Sequence, residues 1–181
     1  MTIKSVTGFM AILLAASAMP ASAEDFYVAL DHGISKASGV CTAGGCNENA
    51  SIFRISAGYL FSPRWALELS YGDYGKASSS ASTNWEARGI QLSGTGSYPL
   101  YEGVSLLGKL GIAHTQFESY GMAGTPAADD TRIAYGIGGT FDYSPSANIR
   151  LQYESLGKVG NASTTGTARI TLLSLGIALR F

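Results

Sequence analysis

The sequence predicts an all-β chain, an eight-stranded antiparallel up-and-down transmembrane β-barrel. Three observations carry that reading. Apolar and polar residues alternate with period two through eight separate stretches, which is the spacing of strands. The connections alternate between short proline-containing turns and longer polar segments. One row of each strand is apolar or aromatic, while the other mixes glycines with charges, which suits a narrow lumen inside and lipid outside.

Composition agrees. The chain of 181 residues is of single-domain size, with 14% charged residues and 23 glycines. Met1 to Ala23 reads as a cleavable secretory signal: Lys4 is basic, Phe9 to Ala15 is apolar, and Ala21-Ser22-Ala23 is an A-x-A cleavage site. As an uncleaved anchor the apolar run is too short to span. The barrel domain is then 24–181. Without Lys4 it has 12 − 1 = 11 basic residues against 13 acidic ones, a net charge of −2. That balance argues against nucleic acid as a partner. Later apolar runs are too interrupted for a transmembrane helix, so spanning requires a closed barrel.

Strand one shows Phe26, Val28 and Leu30 against Tyr27, Ala29 and Asp31. A polar segment from about Ile34 to Ala50 follows, holding Cys41 and Cys46. In an exported chain these two read as a small loop disulfide. A metal site would need further ligands, and a redox motif a tighter spacing. Strand two, Ile52 to Phe61, sets Phe53, Ile55, Ala57, Tyr59 and Phe61 against Arg54, Ser56 and Gly58; Ser62-Pro63-Arg64 is a turn. Strand three, Trp65 to Tyr74, sets Trp65, Leu67, Leu69 and Tyr71 against Ala66, Glu68, Ser70 and Gly72, and a Ser-rich segment follows to Asn84. Strand four runs from Trp85 to Tyr98, with a turn over Pro99 to Gly103, and strand five from Val104 to Phe117. A polar segment spans roughly Glu118 to Asp130. Strands six and seven form the hairpin Arg132 to Leu156 about Ser144-Pro145-Ser146-Ala147. A further polar segment, Gly157 to Ala168, precedes strand eight, in which Leu173, Leu175, Ile177, Leu179 and Phe181 alternate with Ser174, Gly176, Ala178 and Arg180.

Aromatics gather near the short turns: Phe26, Phe61, Trp65, Tyr98, Tyr101, Phe141, Tyr143 and Phe181. They read as the inner-interface girdle, with Tyr71, Tyr74, Trp85, Phe117 and Tyr120 as the outer one. A soluble lipocalin-like barrel or sandwich would bury the apolar row instead. Periodicity does not separate inside from outside; the leader, the turn asymmetry and the terminal Phe181 favour lipid.

These residues resemble the transmembrane domain of outer membrane protein A and its small-barrel relatives. The likeness spans the mature chain and is carried by Gly58-Tyr59 through Glu68 to Tyr71, by Ser97-Tyr98-Pro99, and by Phe141-Asp142-Tyr143 through Arg150-Leu151-Gln152-Tyr153. Leu179-Arg180-Phe181 looks like the carboxy-terminal assembly signal read by the barrel assembly machinery. The resemblance implies the bacterial outer membrane, a monomer, contact with outer-membrane lipid and lipopolysaccharide, and surface loops open to a host or surface ligand. Two departures stand out. Larger members add a peptidoglycan-binding domain, and this sequence ends at the barrel, so no tethering role is expected. The family's basic residue in the inner row of the fourth strand is replaced by Thr95, with Lys109 the nearest substitute.

The inner row supplies the candidate site, a charge cluster of Arg54, Glu68, Lys109, Arg132, Asp142, Arg150 and Glu154. An eight-stranded lumen is only wide enough to be filled by side chains, so these charges must pair. The resemblance matches Glu68 and Arg150 to an inner carboxylate–arginine pair able to exchange partners, and assigns Asp142 to the second carboxylate position, with Lys109 to serve it. One reading is a gate over a narrow pore, in which Glu68→Ala would raise conductance. The other is a polar plug, which the lumen width favours.

No enzyme, cofactor or metal site is expected. Small barrels that modify lipid A need a His with a Ser or carboxylate in reach. Here His114 is followed by Thr115-Gln116, and His32 is the only other histidine. The expected role is structural or surface-interacting, with a small-solute pore as the alternative.

Overall fold

The computed structural model describes residues 25–38, 49–78, 84–120, 127–159 and 168–181. The leader and the pair Cys41 and Cys46 lie outside the described residues. The strands are β1 (Phe26–Ser38), β2 (Asn49–Ser62), β3 (Trp65–Ser78), β4 (Asn84–Tyr101), β5 (Val104–Tyr120), β6 (Ala127–Ser144), β7 (Ala147–Val159) and β8 (Ala168–Arg180). Each pairs antiparallel with its neighbours in sequence, and β1 pairs with β8 to close the barrel. Closure leaves no unpaired edge, the condition for a sheet to sit in lipid.

Most strands run past the ends of their alternating stretches. β1 does so furthest, continuing through Ile34, Ser35 and Lys36, residues expected in a loop, because each still pairs with both β2 and β8. Hydropathic alternation ends where lipid ends; the hydrogen-bond ladder does not. At the short turns Ser62 Oγ accepts from the N–H of Trp65 at 3.1 Å, and bulges at Leu60/Ser62, Pro99/Tyr101 and Asp142/Ser144 bend the strand ends.

The stagger of the closure sets depth. Pairing followed from Lys36 through Thr171, Ser155, Tyr135, Leu110, Gly94, Leu67 and Tyr59 returns to β1 at Phe26. The offset is 36 − 26 = 10 residues, which requires the strands to tilt by about 40° from the barrel axis. Residues at one height are therefore displaced along the ladder by about 10/8, or 1.25, residues per strand.

Exposure decides between the lipid-facing and soluble readings. Leu110 and Ile133 are 64% and 67% exposed on the outer wall, whereas Arg54 and Glu68 are 0% exposed in the lumen. A water-soluble barrel would show the reverse. The aromatics expected in the inner girdle, Trp65, Tyr98 and Tyr143 among them, are exposed beside the short turns.

The interior has three layers. A polar vestibule opens at the turn end. A charged layer fills the middle. Above it lies an apolar cluster of Ile52, Tyr74, Ala113, Ala134, Leu156, Ile170 and Leu172. Tyr74, expected in the outer girdle, is 3% exposed inside this cluster. It shares the parity of Ser70 and Gly72, and the absence of Cβ atoms at Gly72 and Gly89 leaves room for its ring.

Candidate functional site: the charged layer of the lumen

Lipid exposure of a charge at mid-membrane costs about 2–4 kcal/mol, so the strands turn their charges inward. Once inside a lumen with little water, each charge needs a partner. Asp31 of β1 accepts from Arg150 Nε at 2.7 Å on Oδ1 and from Arg150 Nη2 at 2.6 Å on Oδ2, a bidentate pair. The same Oδ2 accepts from Arg54 Nε at 3.0 Å. Glu68 of β3 accepts from Lys109 Nζ at 2.8 Å and Ser70 Oγ at 3.2 Å on Oε1. Its Oε2 accepts from Arg150 Nη1 at 2.6 Å and from the Tyr27 hydroxyl at 2.8 Å.

Glu154 of β7 completes the layer. Its Oε1 lies 2.6 Å from Arg54 Nη1, a charge contact without the alignment of a hydrogen bond. Its Oε2 lies 3.4 Å from Lys109 Nζ and accepts from Gln91 Nε2 at 3.3 Å. Arg54 Nη2 donates to Gln152 Oε1 at 2.7 Å. Three carboxylates, Asp31, Glu68 and Glu154, thus face three cations, Arg54, Lys109 and Arg150, a balance of 3 − 3 = 0. All six are at most 5% exposed.

Of the seven residues expected in the cluster, the structure brings together Arg54, Glu68, Lys109, Arg150 and Glu154. Arg132 and Asp142 stand apart, although both share the inward parity. Arg132 lies beyond Ala134 at the outer mouth, its side chain 49% exposed and its Nε 2.8 Å from Asp130 Oδ1. Asp142 lies at the turn-end mouth, where it lines the vestibule and is exposed. Lys109 does not serve it. In the register Lys109 faces Gly136, and Gly136 faces Glu154. With no side chain at Gly136, the ammonium reaches Glu154 and Glu68 instead. Parity gives a residue its face but not its depth, and these two assignments needed depth. The member missed was Asp31, legible only as an inward position on strand one.

Glycine makes the packing possible. A Cβ at Gly176 would overlap the Asp31 carboxylate and come within 2.6 Å of Leu30 O, and one at Gly58 would overlap the Tyr27 ring. Gly176→Ala is therefore expected to push Asp31 off Arg150 and lower stability by about 1–3 kcal/mol. Urea unfolding of the barrel in lipid vesicles measures this, and an unchanged midpoint would show that the carboxylate can retreat freely.

The vestibule, a cavity of about 200 Å³, is lined by Tyr27, Arg64, Thr95, Asp142 and Arg180 among others and reaches Glu68 and Arg150. Thr95 donates to Ala66 O at 3.4 Å.

Comparison with known proteins gives this geometry a family. Residues 21–181 match the model of the OmpA-like transmembrane domain. Outer membrane protein A of Serratia marcescens is 30% identical over 134 residues, covering 68% of this chain and 37% of that protein. The chain thus spans well under half the length of that relative. Among solved structures, Neisserial surface protein A aligns with a TM-score of 0.67 at 22% identity, covering 86% of this chain and 97% of that one. Ail, the attachment invasion locus protein of Yersinia pestis, aligns with a TM-score of 0.60 at 20% identity, covering 87% and 99%. These two structures share the fold, a small closed β-barrel. The chain belongs to the OmpA-like transmembrane domain family and is a β-barrel of the bacterial outer membrane.

Proposed function

We propose that the barrel is a sealed scaffold that holds surface segments at the outer face of the membrane. One observation carries this: the lumen is blocked twice, by a charge-neutral layer and by an apolar layer above it. A barrel closed at two depths serves by what it displays. The segments 39–48, 79–83, 121–126 and 160–167 join strands at the end away from the short turns, where surface specificity would reside. A Cys41–Cys46 disulfide would stiffen the first of them. Two barrels of the same fold are named for surface roles, Neisserial surface protein A and the attachment invasion locus protein. Phe181, whose N–H donates to Phe26 O at 3.0 Å beside the β1–β8 seam, is the residue we assign to recognition by the assembly machinery.

A narrow pore has one observation in its favour, the vestibule, which carries water-accessible volume as far as Glu68 and Arg150. It ends there.

Planar-bilayer recording of the refolded chain tests the reading. The expected result is silence, with the folded barrel verified by heat-modifiable migration on a gel. Standing openings in the unaltered chain would replace the scaffold with a pore. Replacing the four surface segments by short Gly-Ser turns is expected to leave assembly intact while abolishing attachment of bacteria displaying the protein. Attachment that survives would move the interaction onto the barrel wall.

A further inference from the structure

A histidine stands on the lipid-facing wall of β1. The outward row of that strand reads Val28, Leu30, His32 and Ile34, and His32 is exposed on it. The register surrounds it with hydrocarbon. Phe53 of β2 lies directly opposite on one side and Leu175 of β8 on the other. Leu30 lies below and Ile34 above, and all four neighbours are exposed. Among the described residues the His32 ring has no hydrogen-bond or ion-pair partner. The second histidine of the outer wall does have one: His114 Nδ1 lies 2.9 Å from Thr131 Oγ1.

Depth makes the difference matter. Six residues of β1 separate His32 from Phe26 in the turn-end girdle. At about 3.3 Å each and a tilt of about 40°, His32 stands about 15 Å up an apolar band about 25 Å high. The upper interface begins about 10 Å further on. The short ring does not span that distance, as the long stems of lysine and arginine can. Acyl chains offer neither donor nor acceptor. A neutral imidazole carries one N–H and one bare nitrogen, and on a barrel alone in lipid both go unmet.

A partner for His32 therefore comes from outside the chain, lies at that depth and offers a donor and an acceptor. A second copy has all three properties. Two barrels inserted the same way are related by a two-fold axis along the membrane normal, which sets each residue level with its counterpart. The N–H of one ring then meets the bare nitrogen of the other. Apolar side chains supply no net drive for association in lipid, so a buried polar contact decides whether two walls meet. Lower on the same wall Val28 lies opposite Ala57, short side chains that let two barrels approach.

We propose that the barrel pairs with a second copy of itself through the β8–β1–β2 wall, with His32 meeting its counterpart at the two-fold axis. The monomer that the resemblance implies would leave the imidazole bare. The pairing is independent of whether the lumen conducts and of what the surface segments bind. One hydrogen bond makes it weak, reversible and dependent on protein density in the membrane.

Energy transfer between fluorophore-labelled copies of the full folded chain tests the pairing, in phosphatidylcholine vesicles over a range of protein-to-lipid ratios. The unaltered chain is expected to show transfer above the level of random collision, rising with protein density. H32F keeps a planar ring and removes both hydrogen-bonding groups. Its association constant should fall about 3- to 10-fold, the size of one hydrogen bond between spanning segments in lipid. H32Q, which keeps a donor and an acceptor, should retain the pairing, and H114F should leave it unchanged. Heat-modifiable migration verifies the fold of each variant. At high lipid dilution H32F should be no less stable to urea than the unaltered chain, since a lone barrel loses no bond. Random-level transfer in the unaltered chain, or equal association by H32F, would overturn the proposal. So would a loss of stability in dilute H32F, which would place the partner of His32 within its own barrel.

Discussion

Asp31→Ala is expected to lower the unfolding free energy of the barrel by about 3–5 kcal/mol. The reason lies in how the guanidinium groups share this carboxylate. Arg150 donates to it twice, at 2.7 and 2.6 Å, and Arg54 donates once at 3.0 Å. Removing it turns a neutral layer of three acids and three bases into one with an excess positive charge, in a lumen too narrow to hydrate it. Arg54 keeps Glu154, and Arg150 keeps Glu68, so neither cation is wholly abandoned. Asp31→Asn should cost less, because an amide oxygen still accepts one bond. Urea titration in lipid vesicles, followed by fluorescence of the lipid-facing Trp65, reads both. A loss below about 1 kcal/mol for Asp31→Ala would mean that water reaches the layer and screens it.

That Asp31 matters so much was not apparent from its surroundings in the chain. It sits in a short alternating run, Phe26 to Asp31, after which the pattern breaks at His32 and Gly33. The charged rows of strands three and seven are more conspicuous, since Glu68 stands between Leu67 and Leu69, and Arg150, Gln152 and Glu154 recur at two-residue spacing. Eight strands, their pairing order and their inward faces were all legible, because each follows from alternation and turn chemistry within a few residues. Depth in the lumen was not. It depends on the ten-residue stagger, a property of closure that no single strand carries. Arg132 and Asp142 have the right parity and the wrong height. The apolar layer was overlooked for the opposite reason: Ile52, Leu156 and Leu172 occupy the inward row, where polar residues were expected, and alternation treats such residues as noise.

Conductance is expected only when both layers are cut. Glu68→Ala alone should destabilise the barrel by about 3–5 kcal/mol, since Lys109 and Arg150 each lose a carboxylate. It should nonetheless stay silent. Arg150 remains on Asp31 and Lys109 remains near Glu154, and the apolar layer still closes the path above them. Leu156→Ala with Leu172→Ala should also stay silent, because the ionic layer then seals alone, while each truncation lowers stability by about 2–5 kcal/mol. Both leucines are fully buried, so their loss opens volume along the lumen instead of at the wall. Only the triple variant removes material from both layers, and it should show discrete openings in planar bilayers once heat-modifiable migration confirms the fold. Glu68→Gln in the same leucine background offers a milder version that keeps one acceptor for Arg150. Openings in Glu68→Ala by itself would make the charged layer a gate in its own right, with the apolar layer leaky to ions. Silence in a folded triple variant would place the seal in the remaining pairs of Asp31 and Glu154, and the two-layer account would fall.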